Sequence, residues 1–529
     1  MESLLAHPSI ILVVFALVAY LIGGAIYRLY FSPIAHSPGP RLAALTLWYE
    51  FYYDVVCKGR YTWEIEKMHE KYGPIVRINP YEIHVKDPSF YDEVYVGPSR
   101  RTEKWHWSAK MFGTTTAAVG TTGHELHRVR RGALNPFFSK RSVTRLEPVI
   151  QANVDRLCAR LKEFAGTAKP VNLFDAFTAL SADVIGSFAF GRSYGFLEHA
   201  DFNPRWHRLM MELSGSTHLM KQFGWLYTFT QHIPQWLVAL VHPLTKELFS
   251  LQNSISDQIH SIQTTPASAL CEKPTDHPTI FHDLLSSKLP PSELTLPRLT
   301  EEGLTLIGAG TVTTSHTLAT TVYHLLSAPS KLSRLRSELA TLTNPTEPSR
   351  PLTWTQLEHL PYLSAIVSEG LRLSYGVSHR LQRVSPDAAL RYGDWVIPAG
   401  TPVSMTQMFI HNDAGIFESP SSFIPERWLP SSSSSSSSST GESDATAADP
   451  SHLRKYLVPF SRGTRSCVGM NLAYAEIFLA LGALFRPVGA GGVELDLFET
   501  DRGDVEVVHD FFNPSPRLDS KGVRVLVRG

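Results

Sequence analysis

The chain of 529 residues is 43% hydrophobic and 11% aromatic, enough to bury a sizeable core in one large domain or about two to four ordinary ones. Its 49 lysines and arginines balance 49 aspartates and glutamates, which excludes polyelectrolyte attraction to nucleic acid. Four widely spaced cysteines, Cys57, Cys158, Cys271 and Cys467, form neither a disulfide framework nor paired zinc ligands, so the bulk of the chain reads as reduced and cytosol-facing.

The first element is apolar. From Ser3 to Tyr27 the run SLLAHPSIILVVFALVAYLIGGAIY contains no Asp, Glu, Lys or Arg. A run of about 20 apolar residues can span a bilayer. A cleaved signal peptide would have a shorter apolar core with positive charge ahead of it. Here Glu2 precedes the run, while Arg28 and Arg41 follow it. The positive-inside rule then leaves the N-terminus outside and the rest in the cytoplasm. Residues 1–28 are read as a membrane anchor. Residues 29–41, which include Pro33, Pro38, Gly39 and Pro40, are read as a stiff proline-rich linker, and residues 42–529 as the catalytic body.

From Arg41 to about Thr300 most segments read as amphipathic helices. TLWYEFYYDVV, PVIQANVDRLCARLKEFAG and FSLQNSISDQIHSIQTT place apolar residues at three- and four-residue intervals. Strand-like alternation is confined to PIVRINPYEIHVKD and WVIPAGTPVSM. The sequence HELH at His124 to His127 has its histidines three apart, whereas a zincin needs them four apart, so it is discarded. Pro266 to Pro278 is a polar connection, and Pro290 with Pro291 marks a further break. The serine tract Ser431–Ser439, within residues 430–452, reads as a disordered surface loop. The body is therefore mainly α with a small β part.

Three segments carry chemistry. The first is a long helix bracketed by Pro297 and Pro329, with Gly308, Ala309 and Gly310 in its middle followed by Thr311, Thr313, Thr314 and Thr317. Glycine weakens a helix, so a compensating reason is expected. Small residues leave room against the backbone, and the Thr313 hydroxyl can bond the Ala309 carbonyl four residues back. Helix packing through small residues explains this segment, taken alone, at least as well. The second is AIVSEGLRLSYG, where Glu369 and Arg372 share a helical face among apolar neighbours; Arg427, in FIPERWL, supplies a further partner for a buried pair. The third is FSRGTRSCVG. It puts Cys467 between Gly463 and Gly469, just after Arg462 and Arg465, a setting that favours a thiolate.

Taken together, F-x-x-G-x-R-x-C-x-G (Phe460, Gly463, Arg465, Cys467, Gly469), the E-x-x-R pair and the P-E-R-W segment resemble the haem-thiolate monooxygenases, the cytochromes P-450. The likeness covers essentially the whole chain, anchor and linker included, and the cysteine loop is its most specific part. It implies the cytochrome P-450 fold, mainly α with a small β subdomain, preceded by one transmembrane helix. It implies haem b with Cys467 as axial ligand to iron, Phe460 shielding the thiolate, and Gly463 and Gly469 allowing backbone N–H groups near the sulfur. Arg465, Arg383 and, on the helix containing HRVRR, His127 and Arg131 are expected to contact haem propionates. Glu369, Arg372 and Arg427 are expected to form a structural charge triad. Thr313, Ala309 and Gly310 are the expected oxygen-activation residues.

One position departs from the family pattern. Where the long helix usually carries an acid before its threonine, this chain has Val312. Oxygen insertion by way of Thr313 and water remains the favoured reading. A reductant-independent isomerase or dehydratase acting on a peroxide keeps the same cysteine-bound haem, and a non-catalytic haem carrier is a third alternative. With no nicotinamide or flavin fingerprint of its own, an oxygenase of this type needs NADPH–cytochrome P-450 reductase and O2 as partners, at the endoplasmic reticulum membrane, with the catalytic domain cytosolic. The segments EKWHWSAKMFGTTTAAVGTTG, HLMKQFGWLYTFTQHIPQW, LSYGVSH and HDFFNPSP are expected to face substrate. Their aromatic, charge-poor character favours a hydrophobic small molecule. FHDLLSSKLPPSE, RLQRVSP and DFFNPSPRLDSKGVRV resemble membrane-bound fungal members that oxidise secondary metabolites, such as trichodiene oxygenase, which points to a terpenoid, polyketide or alkaloid skeleton.

Overall fold

A computed structural model describes residues 8–225, 233, 243–264, 279–344, 346–347, 350–430 and 450–529. The polar connection Pro266–Pro278 and the serine tract Ser431–Ser439 lie outside the described residues, as does most of the stretch that follows Phe223 in the second substrate-facing segment.

Ten helices organise the description: α1 (Pro8–Ile26), α2 (Tyr61–Tyr72), α3 (His124–Leu134), α4 (Lys140–Lys162), α5 (Leu173–Phe190), α6 (Pro204–Gly215), α7 (Pro243–Thr264), α8 (Leu296–Leu326), α9 (Pro361–Ser374) and α10 (Met470–Phe485). The 31-residue α8 is the axis of the body, packed by α5, α7, α9 and α10. Its start is set by Pro297 in the first turn, where a missing N–H costs nothing. Helix α5 is apolar on every side and 89% buried, with Asn172 capping its N-terminus and left-handed Gly191 ending it.

The β part is small. Strands β1 (Ile75–Arg77) and β2 (Ile83–Val85) form a hairpin, and β2 runs parallel to β7 (Pro402–Ser404), which pairs antiparallel with β4 (Arg383–Val384). A three-stranded sheet orders β3 (Val171–Asn172), β11 (Arg524–Val527) and β8 (Leu495–Leu497). Two hairpins complete the set, β5 (Leu390–Tyr392) with β6 (Trp395–Ile397) and β9 (His509–Phe511) with β10 (Asn513–Ser515). Strands β1, β2, β6 and β7 fall inside the two segments whose alternation predicted them; β3, β4 and β5 lie outside both, and further short strands form near the C-terminus.

Helix α1 and the turn after it stand clear of the body: Ile11–Phe31 has mean hydropathy 2.1 and none of it is buried. The next residues do not hang free. Arg28 donates to the Leu45 carbonyl at 2.7 Å, Arg77 donates to the Arg28 carbonyl at 2.8 Å, and the Arg77 N–H donates to Pro38 O at 2.7 Å. Ile34 is buried against the β1–β2 sheet. The proline-rich stretch thus lies on the sheet and fixes the root of the anchor relative to the body.

Candidate functional site

Cys467 lies in the loop that leads into α10. Its backbone N–H donates to Phe460 O at 2.9 Å, closing the loop on itself. Gly463 makes the loop possible, with φ +75° and so little room that a Cβ would lie 2.2 Å from Val96 O. The thiol is surrounded by protein, which raises its pKa, while the residue itself remains solvent-accessible; the Gly469 backbone and the Arg131 guanidinium pull the pKa back down. The Phe460 ring packs on Tyr474 of α10 with centroids 5.3 Å apart.

Cations gather beside this loop. Arg131 of α3 donates to the Ser466 carbonyl at 2.7 Å, directly before the cysteine. Arg465 spans from the loop to the segment preceding α3, donating to Thr121 O and Thr122 O at 2.6 Å. Arg383 lies over the Tyr95 ring, and Lys104 reaches Val119 O at 2.5 Å. Arg465, Arg383 and His127 are buried, and none of these three, nor Arg131 or Lys104, makes an ion pair among the described residues. Burial, reinforced by the mutual repulsion of Arg465, Lys104, Arg131 and Arg383, pushes His127 down to about 3. The same two effects depress Arg465 to about 9 and Lys104 well below its usual range. Uncompensated buried charge of one sign calls for a counter-anion. Lys104 escaped the sequence reading, since a single lysine in EKWHW carries no pattern.

On α8 the Thr313 hydroxyl donates to Ala309 O at 2.9 Å, the bond its spacing predicts. Ala309 is exposed and Thr313 partly so, which leaves one side of the helix open at this level. Gly310 faces the other way: a Cβ there would come 3.2 Å from Ile185 of α5, so its smallness serves helix packing. Val312 is buried at 4% exposure. Its side chain belongs to the main apolar cluster.

The N-terminal part of α8 clamps the loop ahead of α3. Glu301 accepts from the Thr115 and Thr116 N–H groups at 3.0 and 2.6 Å, and Glu302 from the Ala118 N–H at 3.1 Å. Arg130 of α3 joins Glu293, which joins Arg298, which joins Glu302.

Glu369, Arg372 and Arg427 come together in one cluster. Glu369 has no exposed surface and accepts from Arg372 Nε and Nη2 at 2.9 and 2.8 Å, Arg427 Nε at 3.2 Å, Trp428 Nε1 at 2.9 Å and the Ile424 N–H at 2.9 Å. Arg372 in turn donates to the carbonyls of His411, Pro420 and Ser422, so one buried pair ties α9 to the end of the helix Gln407–His411 and to the loop that follows it.

The segments expected to face substrate converge too; of their charges Lys221 and Asp510 are turned inward, while Lys110 is exposed. Lys221 Nζ donates to Glu50 at 2.6 Å and Asp54 at 2.9 Å, and Arg380 bonds Glu50 and Glu82. His218, His379 and Asp510 bring nitrogen and oxygen atoms within 4.8 Å of one another, the spacing of a metal site. However, Asp510 already accepts from Thr62, His379, Ser378 and the Phe512 N–H, which fills its lone pairs. The cluster is a hydrogen-bonded network, and its neighbouring imidazoles hold the Asp510 carboxyl far below the usual range against the effect of burial.

Comparison with known proteins places this architecture. Residues 38–487 match the family model for cytochrome P450. The chain is 42% identical to a tryptophan 6-hydroxylase of Fusarium equiseti, over 99% of this chain and 98% of that one. It is 43% identical to an N-acetyltryptophan 6-hydroxylase of Emericella nidulans, over 100% and 99%. With a cytochrome P450 monooxygenase of Sordaria araneosa the identity is 44%, over 97% and 96%. A solved cytochrome P450 structure superposes with TM-score 0.66 at 17% identity, covering 88% of this chain and 98% of that one. The chain belongs to the cytochrome P450 family and is a monooxygenase. The family implies haem on a cysteine thiolate. The residues fit: a reachable cysteine stands beside cations that have no carboxylate of their own, as a group with iron at its centre and carboxylates at its edge requires.

Proposed function

We propose that this monooxygenase hydroxylates or epoxidises a hydrophobic small molecule of fungal secondary metabolism, using haem b held by the Cys467 thiolate. Haem bound there supplies the activation of dioxygen, helped by electron donation from the thiolate. One oxygen atom enters the substrate and the other leaves as water, with two electrons and two protons supplied from outside. The observation that carries the assignment is the unpaired set Arg465, Arg383, Arg131, His127 and Lys104 beside Cys467, which suits the two haem carboxylates.

The remaining roles follow from position. The Gly469 backbone stabilises negative charge on Sγ, and Phe460 keeps water from it. Thr313 Oγ1 holds and passes a proton on the open side of α8, where Ala309 leaves space and Gly310 lets α5 close in. Glu369, Arg372 and Arg427 hold the loops that carry the cysteine. Residues 1–28 anchor the chain in the endoplasmic reticulum membrane, residues 29–41 link, and residues 42–529 form the cytosolic haem domain, in which residues 450–452, expected in a loop, open the helix Pro450–Tyr456. Electrons come from NADPH–cytochrome P450 reductase. Two relatives are named for hydroxylating tryptophan and N-acetyltryptophan, so an aromatic ring is a natural first substrate to try.

The test uses the full chain, reductase and NADPH. Reduced protein with carbon monoxide should give the red-shifted thiolate Soret band, and Cys467→Ala should lack it. Product formed under 18O2 should carry one labelled oxygen. An unshifted band defeats the Cys467 assignment, and unlabelled product defeats the oxygen-insertion reading. Tryptophan, N-acetyltryptophan and a terpenoid are then ranked by the Soret shift each induces.

A further inference from the structure

The charges beside Cys467 do not balance once haem is counted. Arg131, Arg383, Arg465 and Lys104 are all cations, and none of them is in an ion pair among the described residues. The iron that Cys467 would hold neutralises the thiolate, and the two haem carboxylates answer two of these cations. Positive charge remains in a site largely closed to water, and it calls for a further anion.

Lys104 is the cation best placed to receive one. A bridge between Glu103 and Val384 sets it beside Arg383 of β4, yet it belongs to a segment expected to face substrate. An ammonium group has three protons to donate. Among the described residues Lys104 Nζ has one hydrogen-bond acceptor, the Val119 carbonyl at 2.5 Å. Arg131 and Arg465 are committed to carbonyls of the cysteine loop and of the segment before α3. Arg383 and Arg465 are buried, whereas Lys104 is partly exposed. Its neighbour Glu103 pairs instead with Arg101, at 3.6 Å.

An aromatic wall adjoins this cation. Lys104 Nζ lies 4.6 Å from the Phe112 ring centroid, and the Phe512 ring meets Phe112 edge-on at 5.1 Å. Both rings are partly exposed. Phe512 takes φ +70° at the tip of the β9–β10 hairpin, a left-handed conformation that a bulky side chain rarely adopts. Its N–H donates to Asp510 Oδ1 at 2.9 Å and its carbonyl accepts from the Ser378 N–H at 3.0 Å, so its surroundings hold the tip in that conformation. Backbone strain sustained at the position of one ring points to a use for that ring. The chain just after Phe112 is clamped by Glu301 and Glu302, about two turns of α8 before Ala309.

We propose that Lys104, Phe112 and Phe512 form a subsite for an aromatic carboxylate, so that the substrate of this monooxygenase is a hydrophobic ring system bearing one acidic group. The inference rests on the oxygenase reading above and narrows its substrate class. The two rings take the apolar body and the ammonium takes the carboxylate. Anchoring one end of the molecule orients the rest, which selects the carbon that is oxidised.

The experiment titrates the full haem-loaded chain with indole-3-propionate and with its methyl ester, and follows the Soret shift each induces. The acid should bind about tenfold or more tighter than the ester, the scale of a hydrogen bond to a charged group. Lys104→Met should abolish that preference by weakening the acid alone, Lys104→Arg should retain it, and Phe512→Ala should weaken both probes. Equal binding of acid and ester by the wild type, a preference that Lys104→Met retains, unaltered affinities in Phe512→Ala, or binding of neither probe each overturns the proposal. A Lys104→Met protein that no longer retains haem assigns the lysine to a haem carboxylate and overturns it too. The red-shifted carbon monoxide band, read on the same wild-type sample, separates the two levels of failure. With the band present only the subsite falls; without it the Cys467 assignment falls, and the subsite with it.

Discussion

Replacing Glu369 by alanine tests how the cysteine loop is held. The carboxylate accepts five hydrogen bonds, from Arg372 Nε and Nη2, Arg427 Nε, Trp428 Nε1 and the Ile424 N–H. Neither it nor Arg372 has any exposed surface. In the variant Arg372 keeps the carbonyls of His411, Pro420 and Ser422, but two guanidinium groups lose the one carboxylate each pairs with among the described residues. Breaking a buried pair on one side costs about 3–5 kcal/mol, because the remaining charge cannot recover its hydration. Set against a total stability of about 5–15 kcal/mol for a typical domain, that is roughly a fifth or more. At about 1.4 kcal/mol per decade, the unfolded fraction rises by roughly two to three and a half powers of ten. Urea titration of the holo-protein, followed by the Soret band, reads this as a lower midpoint. Glu369→Gln, which keeps shape and loses charge, should fall between wild type and alanine. An alanine variant with the wild-type midpoint and full haem retention would refute the argument, since the triad would then contribute nothing net.

Three further outcomes are expected. Thr313→Ala should leave haem binding intact but divert electrons to hydrogen peroxide, read as a fall in product per NADPH consumed, whereas Thr313→Ser should retain coupling; equal coupling in all three proteins would remove Thr313 from proton delivery. Gly463→Ala forces a Cβ to within 2.2 Å of Val96 O at φ +75°, so the cysteine loop must shift and the carbon monoxide Soret band should weaken or lose its red shift; an unaltered band would show that the close approach is not required. Glu476, buried on α10 with Ser181 as its hydrogen-bond partner at 2.8 Å, is raised by burial from 4.5 to about 8. Between those values the unfolded chain releases a proton that the folded chain keeps. Stability therefore falls as pH rises, by up to about 1.4 kcal/mol per pH unit, and levels off above the folded value. Glu476→Gln mimics the protonated form and should flatten that slope and stabilise the protein at pH 8. A variant with the wild-type slope would place the titration elsewhere.

What the sequence discloses depends on how local the signal is. The cysteine loop, the Glu369–Arg372 spacing and the bond from Thr313 to Ala309 each reside within a few residues, and each appears in the structure as the spacing requires. Arg427 is 58 residues from Glu369 and was reachable through the neighbouring P-E-R-W segment. Lys104 had no such marker. Its place among the cations beside Cys467 is created only when α3, β4 and the loop before α10 meet. The same holds for Glu301 and Glu302, two charges in the first turns of a long helix that clamp a loop about 185 residues away.

Amphipathic periodicity has a further blind spot, which is sign. TLWYEFYYDVV displays an aromatic stripe and an acidic stripe, and the usual inference buries the aromatic one. The structure buries the acids, because Lys221 and Arg380, 167 to 330 residues away along the chain, arrive to neutralise them. Hydropathy has the complementary blind spot. Leu173–Phe190, at mean hydropathy 1.4, is apolar and long enough to span a bilayer, yet 89% of it is buried in the core, whereas Ile11–Phe31, at 2.1, is wholly uncovered. In both cases the sequence specifies which faces differ, and the side that meets water, lipid or protein is set by a partner distant in the chain. An inverted helix is therefore informative in a way that its own residues are not.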